Sequence, residues 1–333
     1  MTAYQLLPSD EFPHRPTAER HFNESVYMNA FDHTRTMGGW MRIGNRVNEG
    51  YAELSVCLYL PDGRIACQFQ RPAITHNEAF SAGGLAVHID EPLARVRMHY
   101  DGELMVISDP ALLRHPKQLF AQAQRLPASV RWEQVATSPA HGGIPLDPAS
   151  PGLYGRDFSL GHFNQHTRVT GGITLGDTHW PVAGYGWRDH SWGPRYWQNI
   201  LFDRLYMANF GADRGLMLLK IANHNGQVRR DGVLQVDGQY EEIIDLDIFN
   251  DWNEAKDPTG FQLTVRTAKR VARINGTVLN CAPLRNRREE NGQWLETRIA
   301  ECFTRLEWDG RLGFGMTEYV ERLHAGVPAG YPL

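Results

Sequence analysis

Apolar and polar residues alternate along most of this chain with a period of two, the spacing of a half-buried β-strand. YAELSVCLYL-PDG-RIACQFQ (51–70) reads as strand, turn, strand. ARVRMHY-DGE-LMVIS (94–108) repeats the form, with Asp101-Gly102 as its hairpin turn. DPALLRHPKQLFAQAQ (109–124) is the one good helix candidate, with Asp109 as N-cap and Pro110 in the first position. Strand patterns then resume at 129–137, 162–175, 178–188, 200–210, 215–223, 227–236, 239–248, 261–267, 271–280, 293–304 and 311–320. Turn pairs punctuate them: Gly176-Asp177, Asn225-Gly226, Asp237-Gly238, Asn275-Gly276 and Asp309-Gly310. So many short strands with so little helix imply an all-β chain whose antiparallel sheets close into barrels or sandwiches.

Two places suit a domain boundary. SPAHGGIPLDPASPGLYG (138–155) is a Pro/Gly/Ser-rich loop, and after residue 197 a fresh meander of roughly eight strands begins. No strand–helix alternation occurs. Gly184-Tyr185-Gly186 has the look of a dinucleotide fingerprint, but no helix with a third glycine follows, which excludes that reading.

Composition narrows the classes further. With 34 basic and 38 acidic residues the chain carries a net charge of −4, so it lacks the basic footprint of a nucleic-acid binder. No apolar run approaches the roughly 20 residues of a membrane-spanning helix, and the polar, proline-bearing N-terminus is unlike a signal peptide. A cytoplasmic location is therefore expected. The four cysteines (57, 67, 281, 302) lack CxxC spacing, so neither a zinc site nor a redox pair is signalled; Cys57 and Cys67 read as small, half-buried thiols.

The chemistry concentrates in GYGWRDHSWGPRYW (184–197). On an extended strand Tyr185, Trp187 and Asp189 point one way; Gly184, Gly186, Arg188 and His190 point the other. A carboxyl placed against aromatic rings loses hydration, which raises its pKa and suits it to general-acid work. Equally, Asp189 can pair with Arg188 or Arg195, or cap the turn at His190–Gly193. Trp180, Trp187, Trp192 and Trp197 are four of the nine tryptophans within eighteen residues, a density that fits an aromatic-lined pocket or a core. In GFGMTEYVERL the same alternation sets Glu318 among Phe314, Met316 and Val320, with Tyr319 on the opposite face. A carboxylate there is either functional or paired with an arginine inside a barrel end. Asp189-His190-Ser191 holds the letters of a triad, but adjacent residues of a strand splay apart, so no serine hydrolase follows. His162 and His166 share a face with Asn164. Without a matching third ligand they read as polar cavity lining rather than a metal site. His33 beside Asp32 is a pocket or surface residue.

The arrangement Gly184-x-Gly186-x-x-Asp189-His190-x-Trp192-Gly193 resembles the signature of the hydroxyneurosporene synthase (carotenoid 1,2-hydratase)-like superfamily. Residues 162–186 resemble the family's hairpin into that signature, 310–323 its terminal glycine-rich strand, and 38–64 its early strands. Ser191 stands where the hydratases often carry Asn, and Arg188 is a second departure. The resemblance implies two tandem lipocalin-like (calycin-type) antiparallel β-barrel domains: an N-terminal extension at 1–24, a barrel at 25–197 and a second at 198–333. It further implies a hydrophobic small-molecule substrate, no cofactor and no metal. The reaction class is acid-catalysed hydration or cyclisation, of lyase or isomerase type, at an isoprenoid or polycyclic alkene. Asp189 then donates the proton and His190 and Arg195 tune it. Tyr185, Trp187, Trp192, Trp197 and Tyr319 line the pocket, and Glu318 positions water or takes the final proton. A non-catalytic carrier of a hydrophobic molecule, or a pericyclic cyclase that only folds its substrate, fits the same letters.

Overall fold

The structure is a computed structural model that describes residues 3–156, 158–290 and 292–333, with the side chains of 198, 288 and 290 left aside. The chain forms two compact units. One comprises Met1–Asp62, Ala66–Val106 and Gln124–Tyr196; the other comprises Gly63–Ile65, Ile107–Ala123 and Trp197–Leu333.

In the first unit eight antiparallel strands close on themselves: β1 (Phe22–Asp32), β2 (Met37–Arg46), β3 (Tyr51–Tyr59), β4 (Ile65–Gln70), β5 (Arg95–Ile107), β6 (Gln124–Ala136), β7 (Gly161–Leu175) and β8 (Thr178–Pro194). Their order is β7–β8–β1–β2–β3–β4–β5–β6, and β6 returns to β7. In the second unit β9 (Ile200–Asn209), β10 (Arg214–Asn223), β11 (Val228–Val236), β12 (Gln239–Trp252), β13 (Pro258–Thr267), β14 (Val271–Glu290), β15 (Gln293–Trp308) and β16 (Arg311–His324) each pair with the next, and β16 pairs with β9. The all-β architecture implied by the alternation, and the tandem barrels implied by the resemblance, are thus present. Each barrel core is one face of its strands: Val26, Met28, Ala30, Met41, Ile43, Leu54 and Val56 in the first, Tyr206, Ala208, Leu216, Leu218, Leu306 and Trp308 in the second. β1 departs from the half-buried norm, because every residue from Phe22 to Asp32 is buried and both of its faces are shielded.

The glycines of the GYG motif serve this packing. A Cβ on Gly184 would lie 2.0 Å from the Phe31 carbonyl oxygen, and one on Gly186 2.0 Å from that of Asn29. Only glycine lets β8 approach β1 this closely. The segment ahead of β1 is tied into the same barrel. Tyr4–Gln5 pairs with His141–Pro145, which pairs with β7, so part of the proline-rich loop at 138–155 is a short strand.

Three local expectations are corrected. The helix at 109–124 is two pieces, a 3-10 turn at Pro110–Arg114 and an α-helix at Pro116–Gln122. Asp109 does cap the first, accepting from the Ala111 N–H at 2.9 Å. Pro116 breaks the run by driving His115 out of the α region, to φ −123° and ψ 71°. Asp101-Gly102 is no turn: β5 runs straight through it, with Asp101 opposite Ser129 and Gly102 opposite Ala128. The hairpin lies earlier, between Leu85–Glu91 and β5, where Leu93 takes φ 60°. Asn275-Gly276 likewise sits inside β14; a Cβ on Gly276 would meet the Phe261 ring at 2.1 Å, so this glycine makes room for an aromatic side chain. By contrast Asp237-Gly238 and Asp309-Gly310 form hairpin turns, all four residues at positive φ.

Gly186→Ala is expected to cost about 1–3 kcal/mol through forced separation of β8 from β1. Urea denaturation reads this directly, and an unchanged midpoint would show that the ladder can yield there.

Candidate functional site

The β7–β8 and β8–β1 registers decide what meets Asp189. It lies opposite Asn164 on β7 and Tyr27 on β1, and Tyr27 lies opposite Arg42 on β2. Two residues along, Trp187 lies opposite His166, and its backbone N–H donates to the Asn29 Oδ1 at 2.8 Å. Two residues the other way, Ser191 lies opposite His162. These side chains share the face turned away from the apolar core of the barrel.

On that face Asp189 Oδ2 stands 3.6 Å from His162 Nε2, and the Asp189 side chain keeps 16% of its exposure. The His162 ring stacks on Tyr154 at 4.6 Å. Tyr27 lies edge-on to Trp187 at 6.0 Å and stacks with Trp40 at 5.9 Å. Both ring nitrogens of His162, both amide atoms of Asn164, and the indole N–H groups of Trp187 and Trp40 are buried and have no hydrogen-bond partner among the described residues. Buried polar groups set between aromatic walls make this face a candidate binding site. His162, read from sequence as cavity lining, is thus an ion-pairing neighbour of Asp189.

Arg195 stays beside the Asp189 face, whereas His190 does not. The Arg195 guanidinium donates to Ser191 Oγ at 2.7 Å and lies over the Phe158 ring at 3.8 Å. Burial pushes Arg195 down to about 9, with Arg42 and Arg46 adding to the effect and Asp189 opposing it. Arg188 does not pair with Asp189; it forms a two-pronged ion pair with Glu11 at 2.6 and 2.9 Å on the core side. His190 also faces the core side, and its Nε2 meets Glu24 Oε1 at 3.0 Å. Trp192 belongs with it, stacked on His14 at 4.0 Å, so neither His190 nor Trp192 joins the Asp189 face. Tyr185 is on that face but packs edge-on against His33 at 5.3 Å, farther along the strand. Burial pushes the His33 imidazole down to about 4 against the pull of Asp32.

Behind the motif lies a second polar group that the sequence reading missed. His14 Nδ1 meets Glu24 Oε1 at 2.6 Å, and Asn77 and the His14 backbone N–H donate to the same carboxylate. Glu24 could have been found by the alternation applied to Asp189, since it shares an inward face with Val26, Met28 and Ala30. His14 could not, because it lies in an irregular segment. Ligand atoms of His14, Glu24 and His190 lie within 4.8 Å of one another, a donor set suited to a zinc-class ion. Yet 2.6 Å is a hydrogen-bond separation, below the roughly 3.3 Å between ligands of a tetrahedral zinc. The geometry is that of a carboxylate shared by two imidazoles. Burial raises the Glu24 carboxyl, but the hydrogen bonds and charges of His14 and His190 outweigh it and hold the pKa below its usual value.

In the second unit Glu318 lies opposite Leu205 on one side and Glu301 on the other, on the face away from Tyr319. Glu301 and Asp203 are buried, and burial followed by the Glu318 charge pushes both carboxyls well above their usual range. Tyr319 points into the barrel, where its hydroxyl donates to Asn250 Oδ1 at 2.8 Å and burial pushes its pKa up. Trp197 sits half-buried in the turn Trp197–Asn199 that leads into β9.

A family model for a domain of unknown function, DUF7064, matches residues 7–322. The chain belongs to this family. No curated protein matches the DUF7064 chain in sequence. Among solved structures it is similar to the AttH protein NE1406 of Nitrosomonas europaea, at 13% identity and a TM-score of 0.65, over 97% of this chain and 98% of that one. Kievitone hydratase from Nectria haematococca aligns at 9% identity and a TM-score of 0.59, over 96% and 93%. CghA with Sch210972 aligns at 12% identity and 0.56, over 98% and 97%. At such identities the likeness is one of fold, spanning both barrels.

Because the folded Glu24 pKa lies below its unfolded value near 4.5, its contribution to stability is present above that value and lost as pH falls through the folded pKa. Glu24→Gln is expected to destabilise the DUF7064 chain by about 3 kcal/mol at neutral pH, with the gap to wild type narrowing in acid. Chemical denaturation at neutral and acidic pH checks both statements; a gap that widens in acid would reverse the sign assigned to Glu24.

Proposed function

We propose that this protein is a hydratase or cyclase, of lyase or isomerase type, acting on a hydrophobic isoprenoid or polycyclic alkene through its own acid–base groups. The observation that carries this reading is the set of buried polar atoms without a hydrogen-bond partner among the described residues, on His162, Asn164, Trp187 and Trp40, around the Asp189 carboxyl. In this reading the Asp189–His162 pair delivers a proton to the alkene. The π bond breaks, a C–H bond forms and a carbocation develops. The ring faces of Trp187, Trp40 and Tyr27 stabilise that charge. Asn164 holds a carbonyl or hydroxyl of the substrate. Attack by water, or by a second double bond of the same molecule, consumes the cation, and a proton returns to the pair. Two fold neighbours lend support by name: one is a hydratase, and another was solved with the small molecule Sch210972. Beside Glu318, the buried Glu301 and Asp203 carboxyls are pushed above their usual range, a second place in the chain where a carboxyl holds its proton more tightly.

The test runs candidate isoprenoid and polycyclic alkenes through the purified chain in deuterated water, followed by mass spectrometry. Product carrying one deuterium at the protonated carbon is expected. Asp189→Asn should lower kcat by about 10²–10⁴-fold while ligand affinity changes far less. Wild-type turnover in Asp189→Asn would remove Asp189 as the donor. Tight binding without any product would identify a carrier instead, and product without deuterium would point to a cyclase that only folds its substrate.

A further inference from the structure

The second unit holds a cleft of about 380 Å³, walled by the Asp109–Arg114 segment, the β12–β13 turn around Asp257, and Val278 to Pro283 of β14. The Arg114–Asp257 ion pair lies in this wall. So does Cys281, a half-buried free thiol. Cys302 faces it across the β14–β15 ladder: the two residues are direct register partners, and their sulfur atoms lie 2.9 Å apart. Directly opposite residues on antiparallel strands have Cα atoms about 4.5–5.5 Å apart, within the roughly 4.4–6.8 Å that a disulfide tolerates. Cys302 is itself fully buried, packed with Ala300 and Tyr319.

We propose that Cys281 and Cys302 form a reversible cross-strand disulfide driven by hydroperoxide, with the cleft as the route of access. Cys281 meets the oxidant first, because it alone of the pair is open to the cleft. Its thiolate attacks the peroxide; the O–O bond breaks, an S–O bond forms and hydroxide departs, leaving Cys281 as a sulfenic acid oxidised by two electrons. Cys302 then attacks that sulfur. The S–S bond forms, the S–O bond breaks, and hydroxide leaves as water with the Cys302 proton. Two thiols and one hydrogen peroxide thus become one disulfide and two waters. Burial, followed by its contact with Cys281, pushes the Cys302 thiol well above its usual range, which fits a resolving rather than an attacking role. Cys57 and Cys67 are internal controls: both are wholly buried, and burial pushes Cys67 up to about 12.

The folded full-length chain is treated with hydrogen peroxide, quenched, unfolded, alkylated and mapped by mass spectrometry. The wild type should lose two hydrogen masses and yield a linked peptide pair containing Cys281 and Cys302, restored by dithiothreitol, with Cys57 and Cys67 still alkylated. In Cys302→Ser the reaction should stop at a sulfenic acid on Cys281 that dimedone traps, and in Cys281→Ser the remaining Cys302 should stay reduced. The proposal is overturned if both thiols survive peroxide, if Cys281 proceeds only to sulfinic or sulfonic acid without a link, or if Cys302 oxidises as fast in Cys281→Ser as Cys281 does in the wild type.

Discussion

The register of the long β7–β8 hairpin is the constraint on which the first barrel's chemistry depends. Gly161 is paired with Trp192, Asn164 with Asp189 and Leu175 with Thr178, without a break. Side chains alternate, so this one alignment sends Asp189, Trp187 and Ser191 to one face and Arg188, His190 and Trp192 to the other. A slip of a single residue would exchange the two sets and place Asp189 in the apolar core. Gly184 and Gly186 reinforce the alignment from the other side, since a Cβ at either would meet a β1 carbonyl oxygen at 2.0 Å. The motif is therefore a packing device through its glycines and, in the proposed function, a chemical one through its carboxylate and indole.

The two faces are electrostatically distinct. Toward the core, charge is matched closely: Arg188 with Glu11, Glu24 with His14 and His190, Gln165 completing the Arg188 donors at 2.7 Å. Removing either partner of such a pair would leave a buried charge uncompensated. Away from the core Glu53 pairs with Arg42 and Arg46, farther from Asp189. His162 and Asn164 offer hydrogen bonds that no described residue takes up, beside an acid that retains some contact with solvent.

Much of this was legible in the sequence because a period of two survives any tertiary context. The strands from β7 to β16, the shared face of Tyr185, Trp187 and Asp189, and the separation of Glu318 from Tyr319 all follow from counting. What alternation cannot supply is the partner from a distant part of the chain. Nothing near Asp189 in sequence announces His162 as its neighbour. Nothing near His190 announces Glu24, and the role of Tyr185 beside His33 needs the β8–β1 pairing. Turn propensity misled where packing overrode it. Asp101-Gly102 and Asn275-Gly276 have the letters of hairpins, but both lie within continuous ladders, one beside an Asp101–Arg131 ion pair and the other beneath the Phe261 ring. The helix at 109–124 failed on a rule visible in the letters, the proline at 116.

The segment before β1 carries a consequence of its own. Glu11 and His14 reach the interior from outside the ring of strands, so in physical terms they behave as a ligand that happens to be covalently attached. Such a ligand is present at an effective concentration set by its tether rather than by the solution. Glu11 thereby neutralises the buried Arg188, and His14 hydrogen-bonds the buried Glu24 of β1, both through an association internal to the chain.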